Sequence, residues 1–203
     1  MTTSRVEPAA KADLRRALRK ARRDHVSALP ASVRGLILNR PPQPVVEMLA
    51  DKPLVGLYHP VGAEAPSLGW ARWLHENGHQ IALPWFATRE SAMQFRLWSN
   101  PWDDDLLEPS PHGGLQPIVG VHDISTGEMT PHAVVVPLVG FTADCHRLGQ
   151  GGGHYDRWLA ANPDTTAIGL AWDVQCLDEL PLEPHDRVLN AVVTPTRIYR
   201  SEA

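Results

Sequence analysis

Cysteine is scarce in this chain: Cys145 and Cys176 are the only two. Two thiols cannot build the multi-bridge framework of a small secreted domain, so a reducing, cytoplasmic setting is expected. No apolar run approaches the roughly 20 residues of a membrane helix, and the N-terminus lacks an apolar signal core. No membrane partner is expected. Excess positive charge is missing as well. Nineteen Lys and Arg face 23 Asp and Glu, a formal net charge of −4. That balance gives no general pull toward nucleic acid. No internal repeat is visible. The length and the 43% hydrophobic content suit a single domain over residues 1–203.

Glycine, by contrast, is concentrated in one place. In Arg147-Leu148-Gly149-Gln150-Gly151-Gly152-Gly153-His154-Tyr155-Asp156, four glycines fall within five positions. Upstream, Ala133 to Leu138 reads as a short buried strand. Downstream, His154 to Ala161 reads as a helix ended by Asn162-Pro163. Glycine permits positive φ and close approach of a ligand to the main chain. Backbone N–H groups at a helix start favour an anion. The stretch reads as a phosphate cradle, with a tight turn as the plainer alternative. No Lys-Ser or Lys-Thr follows it, which excludes a Walker loop. His154 stands where the dinucleotide fingerprint needs Gly or Ala.

Ahead of this loop, Ala9 to Leu29 predicts one basic helix, with Lys11, Arg15, Arg19 and Arg22 or Arg23 at helical spacing. Val33 to Leu49 predicts a second helix, interrupted by Pro41, Pro42 and Pro44. Strands are predicted at Pro53–Tyr58, Gln80–Leu83, Gln94–Trp98, Val134–Pro137, Ala167–Ala171, Ala191–Thr194 and Arg197–Arg200, with a helix at Ser67–Gly78. Residues 99 to 131 predict loop, with a short helix around 103–107. The run Asp103-Asp104-Asp105 reads as a helix start or a solvated face rather than a metal site. Strands alternating with helices argue for an α/β fold with a largely parallel sheet.

The glycine stretch and its flanks resemble the signature of 5-formyltetrahydrofolate cyclo-ligases, also called methenyltetrahydrofolate synthetases. The residues that carry the resemblance are Val136-Pro137, Phe141 and Arg147 through Arg157. Ile168–Gln175, Leu180-Pro181, Glu183-Pro184-His185-Asp186 and Val192–Thr194 agree with the family's C-terminal run. Gly56–Glu64, Gly78 and Leu83-Pro84 form a third match. The resemblance is weakest from about Phe86 to Pro131. It implies a single-domain, three-layer open α/β sheet with helices on both faces.

It also implies an activity: ATP- and Mg²⁺-dependent closure of 5-formyltetrahydrofolate to 5,10-methenyltetrahydrofolate. The formyl oxygen is a poor leaving group until the γ-phosphoryl group is transferred to it. N10 then attacks the formyl carbon, and phosphate departs. Such chemistry asks for positioning and charge neutralisation. By resemblance, Lys11, Arg15 and Arg147 offset negative charge. These three, with Leu148, Gly149, Gln150, Gly151, Gly152, Gly153, His154 and Tyr155, hold ATP. His59, Glu64, Gln150, His154 and Tyr155 meet the folate, and Asp156 and Asp186 hold the metal. On the residues alone, Glu64 reads equally as a carboxylate at a helix start, Asp156 as a first-turn carboxylate and Asp186 as a turn cap. Lys11 and Arg15 are read as exposed side chains that add little to folding. The other arginines of the basic helix are read as surface.

Three positions depart from the family's pattern. Thr142 stands where Asp is common, Cys145 where Gly is common, and His154 where the first of two tyrosines is common. Unperturbed, His154 titrates at about 6.5, and a neighbouring phosphate raises it, so activity is expected to depend on pH near neutrality. A monomer is expected. The alternatives are a nucleotide- or RNA-binding relative without catalysis, and a sugar-phosphate isomerase or CoA-transferase-like enzyme.

Overall fold

The computed structural model describes residues 8–120, 127–183 and 186–201. In chain order the helices are α1 (Pro8–Ala28), α2 (Ala31–Arg34), α3 (Gln43–Leu49), α4 (Leu68–Glu76) and α5 (His154–Ala161). The strands are β1 (Leu54–Gly56), β2 (Gln80–Trp85), β3 (Gln94–Leu97), β4 (Leu107–Pro109), β5 (Leu115–Pro117), β6 (Ala133–Pro137), β7 (Gly140–Thr142), β8 (Arg147–Leu148), β9 (Thr166–Leu170), β10 (Cys176–Leu177), β11 (Ala191–Val193) and β12 (Ile198–Arg200).

Seven strands form the main sheet, in the order β12-β11-β9-β6-β1-β2-β3. The five inner strands are parallel; β3 and β12 close the edges antiparallel. Strands covered on both faces should read as continuous apolar runs, and Ala133-Val134-Val135-Val136 does. Its alternate residues feed opposite cores. Ala133 and Val135 pack with Val45, Leu49, Trp70 and Leu74 of α3 and α4. Val134 and Val136 pack with Trp158 and Leu159 of α5. The three-layer, largely parallel α/β sandwich expected from the sequence is therefore present.

Three details differ from expectation. The prolines split the 33–49 helix into the short α2 and α3, with Pro44 in the first turn of α3. The helix around 103–107 does not form. The side chains of Asn100 and Asp103 accept hydrogen bonds from the amides of Trp102 and Asp105, so local turns displace it. A β4–β5 hairpin follows instead. Finally, the strand leading into the glycine loop is β8, which belongs to a second sheet, β10-β7-β8, and not to the main sheet.

This small sheet is the seat of α1. Leu18 packs with Val139 and Leu148, flanked by Leu14, Leu177 and Leu180. A Cβ on Gly140 would stand 2.7 Å from Leu18 Cδ1, so the bare glycine sets how closely the helix approaches. At the β7–β8 turn, Cys145 is buried with φ +67°, in the left-handed region where a side chain is strained. That conformation accounts for glycine being common there.

Candidate active site

The parallel strands β1, β2 and β6 end on the same side of the sheet, where open α/β folds place their ligands. A cavity of about 430 Å³ lies there. One wall comes from the strand ends and the β4–β5 hairpin: Tyr58, His59, Glu64, Phe86, His112 and Leu115. The facing wall is the glycine loop with Arg147, His154, Tyr155 and Asp156. The loop reaches α5 through Gly153, whose φ of +62° supplies a left-handed step directly before the helix. That wall therefore presents main-chain amides and the positive end of a helix dipole.

Helix α1 crosses behind the loop. Arg15 Nε donates to the Gly149 carbonyl at 2.9 Å. Arg19 donates to the Gln150 carbonyl at 3.1 Å and to Gln150 Oε1 at 2.7 and 3.0 Å. Arg22 is buried, with its Nη1 3.3 Å from the Leu138 carbonyl. Lys11 Nζ lies 2.6 Å from Glu183 and 3.1 Å from Asp186. At 7% exposure, Lys11 is buried, which corrects its reading as an exposed lysine. Arg22 is likewise corrected from surface to interior, and Arg19, half-exposed, is corrected from a free surface charge to a partner of the loop. Their signal was the spacing of Lys11, Arg15, Arg19 and Arg22 along one helix face.

Arg147 is buried and paired with Asp156 at 2.7 Å. Burial pushes its guanidinium down from the ordinary value, while Asp156, Tyr155 and Asp186 hold it up. Its Nη1 is buried with no hydrogen-bond partner, a costly state that an anionic ligand would relieve. Asp156 also lies 3.5 Å from the Arg187 amide, which ties it to the neighbourhood of Asp186. Pro184 and His185, part of the C-terminal match, lie outside the described residues.

Glu64 accepts from the Val61 amide and from Gln150 Nε2, each at 2.9 Å. Its turn is held from outside, since Trp172 Nε1 donates to the Ala63 carbonyl and Tyr58 Oη to that of Ala65. Burial raises the Glu64 carboxyl above its ordinary value against the pull of those donors, Arg22 and Arg19. Burial also raises the Tyr155 phenol, whose hydroxyl is unpartnered. Both ring nitrogens of His59 are buried without a hydrogen bond, and the Asp104 carboxylate stands 3.6 Å away.

His154 lines the cavity beside two residues that the sequence did not single out. Its ring centroid is 4.3 Å from His112 and 5.0 Å from Phe86. Its Nδ1 lies 3.2 Å from Arg157 Nη2. Burial, then His112 and Arg157, push the imidazole below its ordinary value. Within the protein alone, the imidazole's charge change therefore lies on the acid side of its ordinary value.

A model of the 5-formyltetrahydrofolate cyclo-ligase family matches residues 7–195. The chain belongs to that family. The Escherichia coli (strain K12) 5-formyltetrahydrofolate cyclo-ligase is 43% identical over 68 residues, 32% of this chain and 37% of the relative's own length. The Mycolicibacterium smegmatis 5-formyltetrahydrofolate cyclo-ligase is 30% identical over 149 residues, 69% of this chain and 72% of that protein. The fold is shared with the NMR structure of Aquifex aeolicus 5,10-methenyltetrahydrofolate synthetase. The TM-score is 0.67 at 23% identity, covering 95% of this chain and 93% of that one.

Within the cyclo-ligase family, the three departures fall in two places. Thr142 and Cys145 shape the β7–β8 turn, where Thr142 hydrogen-bonds Asp144. His154 alone reaches the cavity. The metal that the family implies needs oxygen ligands and keeps several waters beside phosphate. Asp156 and Asp186 suit that demand as a pair of carboxylates. Among the described residues, no group of three or more His, Cys, Asp or Glu is arranged to hold an ion by itself.

Proposed function

We propose that this protein closes 5-formyltetrahydrofolate to 5,10-methenyltetrahydrofolate, consuming ATP and releasing ADP and phosphate. The observation that carries the reading is the cavity itself. One wall is an amide-rich glycine loop with the half-satisfied Arg147 guanidinium; the other is aromatic and ends in Glu64. The first suits a polyphosphate and the second a flat, polar heterocycle.

In this reading the loop amides from Gly149 to Gly153 hold phosphate oxygens at the start of α5. Arg147 turns its unpaired Nη1 toward developing negative charge, which a dry setting makes worth more than in water. Arg15 fixes the loop through Gly149 and adds positive charge behind it. Lys11 exchanges its carboxylates for phosphate. Asp156 and Asp186 would hold Mg²⁺, which supplies charge neutralisation on the phosphates when bound. Glu64 accepts a hydrogen bond from the folate, and His59, His154 and Tyr155 bound the space that orients it. Holding the two substrates face to face lowers the entropic barrier to transfer.

The partners of the basic helix support the enzyme reading over the nucleic-acid alternative. Four cations of α1 point at the protein's own loop, carboxylates and carbonyls. Of the outer ones, Arg16 pairs with Asp13 and Lys20 with Asp24. No helix among the described residues is long and apolar enough to cross a membrane. With two free cysteines, a cytosolic enzyme is the simplest assignment. The test is an assay on 5-formyltetrahydrofolate with Mg-ATP, following methenyl product by ultraviolet absorbance and ADP in parallel. Equal amounts of both are expected. Folded protein that yields neither refutes the reading.

A further inference from the structure

Gln150 occupies the middle of the glycine loop, yet its side chain does not face the cavity unencumbered. Its Oε1 accepts from Arg19 Nε and Nη2 at 3.0 and 2.7 Å, and its Nε2 donates to Glu64 Oε1 at 2.9 Å. The amide orientation is decided by chemistry, not by choice of atom names. Arginine can only donate, so the carbonyl end must face Arg19 and the NH₂ end must face Glu64. A continuous chain of hydrogen bonds thus runs from a cation on α1, through the loop, to a carboxylate on the opposite wall. The second oxygen of Glu64 takes the Val61 amide.

We propose that Arg19 is a positioning residue: through Gln150 it holds the Glu64 carboxylate against the glycine loop and in the substrate cavity. The inference rests on the cyclo-ligase reading for its kinetic consequence, but the network itself does not. Bonds in such a chain polarise one another, so loss of the cation weakens the Gln150–Glu64 bond as well. It also frees the amide to turn away from the carboxylate. The charged and titratable groups around Glu64 are Arg19 and Arg22 from α1, Tyr58 from the end of β1 and Tyr155 from α5. Arg22 is buried and its Nη1 contacts Leu138 rather than Glu64, so it cannot replace the bond that Gln150 makes.

The test has two arms on full-length protein. In the first, ligand-free protein carrying ¹³C-labelled glutamate carboxyls is titrated by NMR, with the Glu64 signal assigned by Glu64→Gln. Arg19→Met is expected to raise the Glu64 midpoint, Arg19→Lys to raise it less, and Arg16→Met, which touches only Asp13, to leave it alone. In the second, steady-state kinetics are measured at neutral pH. Arg19→Met should raise KM for 5-formyltetrahydrofolate by about tenfold, the loss expected for one charge-assisted bond. Its thermal midpoint should stay unchanged, because the side chain is half-exposed. An unmoved Glu64 midpoint overturns the proposal, as does a moved midpoint with an unchanged folate KM. The first arm needs no activity, so a failed ligase assay does not decide it.

Discussion

Two sets of cations surround the glycine loop, and they are held in opposite ways. Arg15 and Arg19 are fixed by neutral acceptors: the Gly149 and Gln150 carbonyls and a side-chain amide. Lys11, also of α1, and Arg147 of β8 are instead fixed by carboxylates: Glu183, Asp186 and Asp156. A carbonyl orients a guanidinium without cancelling its charge; a carboxylate does both. The first set therefore offers net positive potential to an arriving phosphate. The second is neutralised until a ligand or a metal ion takes over one partner. A site this rich in charge can thus be stable while empty, because only part of its charge is exposed at any time.

The largest effect is expected at Arg147. Arg147→Met leaves Asp156 without its buried partner, which costs about 3 kcal/mol of stability, read as a lower denaturant midpoint. Activity should be lost entirely. Adding Asp156→Leu should recover much of the stability and none of the activity. Next comes a contrast across the two sets. Lys11→Ala should lower stability by about 1–3 kcal/mol, since it strips a buried cation from two carboxylates. Arg15→Ala should barely move the unfolding midpoint but weaken ATP binding about tenfold by calorimetry. Equal stability losses in the two variants would erase the distinction between the sets.

A smaller effect concerns Glu64. Burial raises its carboxyl in the folded state, so ionising it costs the fold. The contribution is fully present below the unfolded value and is lost as pH rises through the folded one. Glu64→Gln should unfold with the parent near pH 4 and at higher temperature than the parent near pH 8, measured by calorimetry, while losing activity. The smallest effect is at His154. With its imidazole held below the ordinary value, it is neutral through the neutral range. The kcat/KM profiles of His154→Tyr and the parent should superpose above about pH 7 and part only on the acid side. A divergence centred above pH 7 would mean that a bound phosphate overrides His112 and Arg157.

How much of this was legible in the sequence differs by region. Of the five parallel strands, β6 carried a run of three valines and the others short, mostly apolar runs, and the glycine loop, Lys11, Arg15, Glu64 and Arg147 stood out by type and spacing. Arg19 and Arg22 shared the spacing of Lys11, but spacing alone cannot say which face of a helix meets solvent. The small sheet that seats α1 has strands of two or three residues, too short to show a period. Phe86 and His112 sit in the stretch where prolines, glycines and side-chain turns erase any pattern, and only the β4–β5 hairpin brings His112 against His154. The pairing of Lys11 with Glu183 links residues 172 apart, a distance across which local rules are silent.

That separation has a consequence in time. The amphipathic helix α1 is made first, but its cationic face finds Gly149 only 134 residues later and Glu183 after 172. During synthesis at about 5–20 residues per second, the helix waits roughly 7 to 34 s for these partners. Docking must then close one of the longest loops in the chain, the kind of late, non-local step that slows folding. The helix that braces the phosphate wall is thus an early product and a late arrival. The contacts of α1 with Gly149 and Glu183 cannot both form until the chain through Glu183 has left the ribosome.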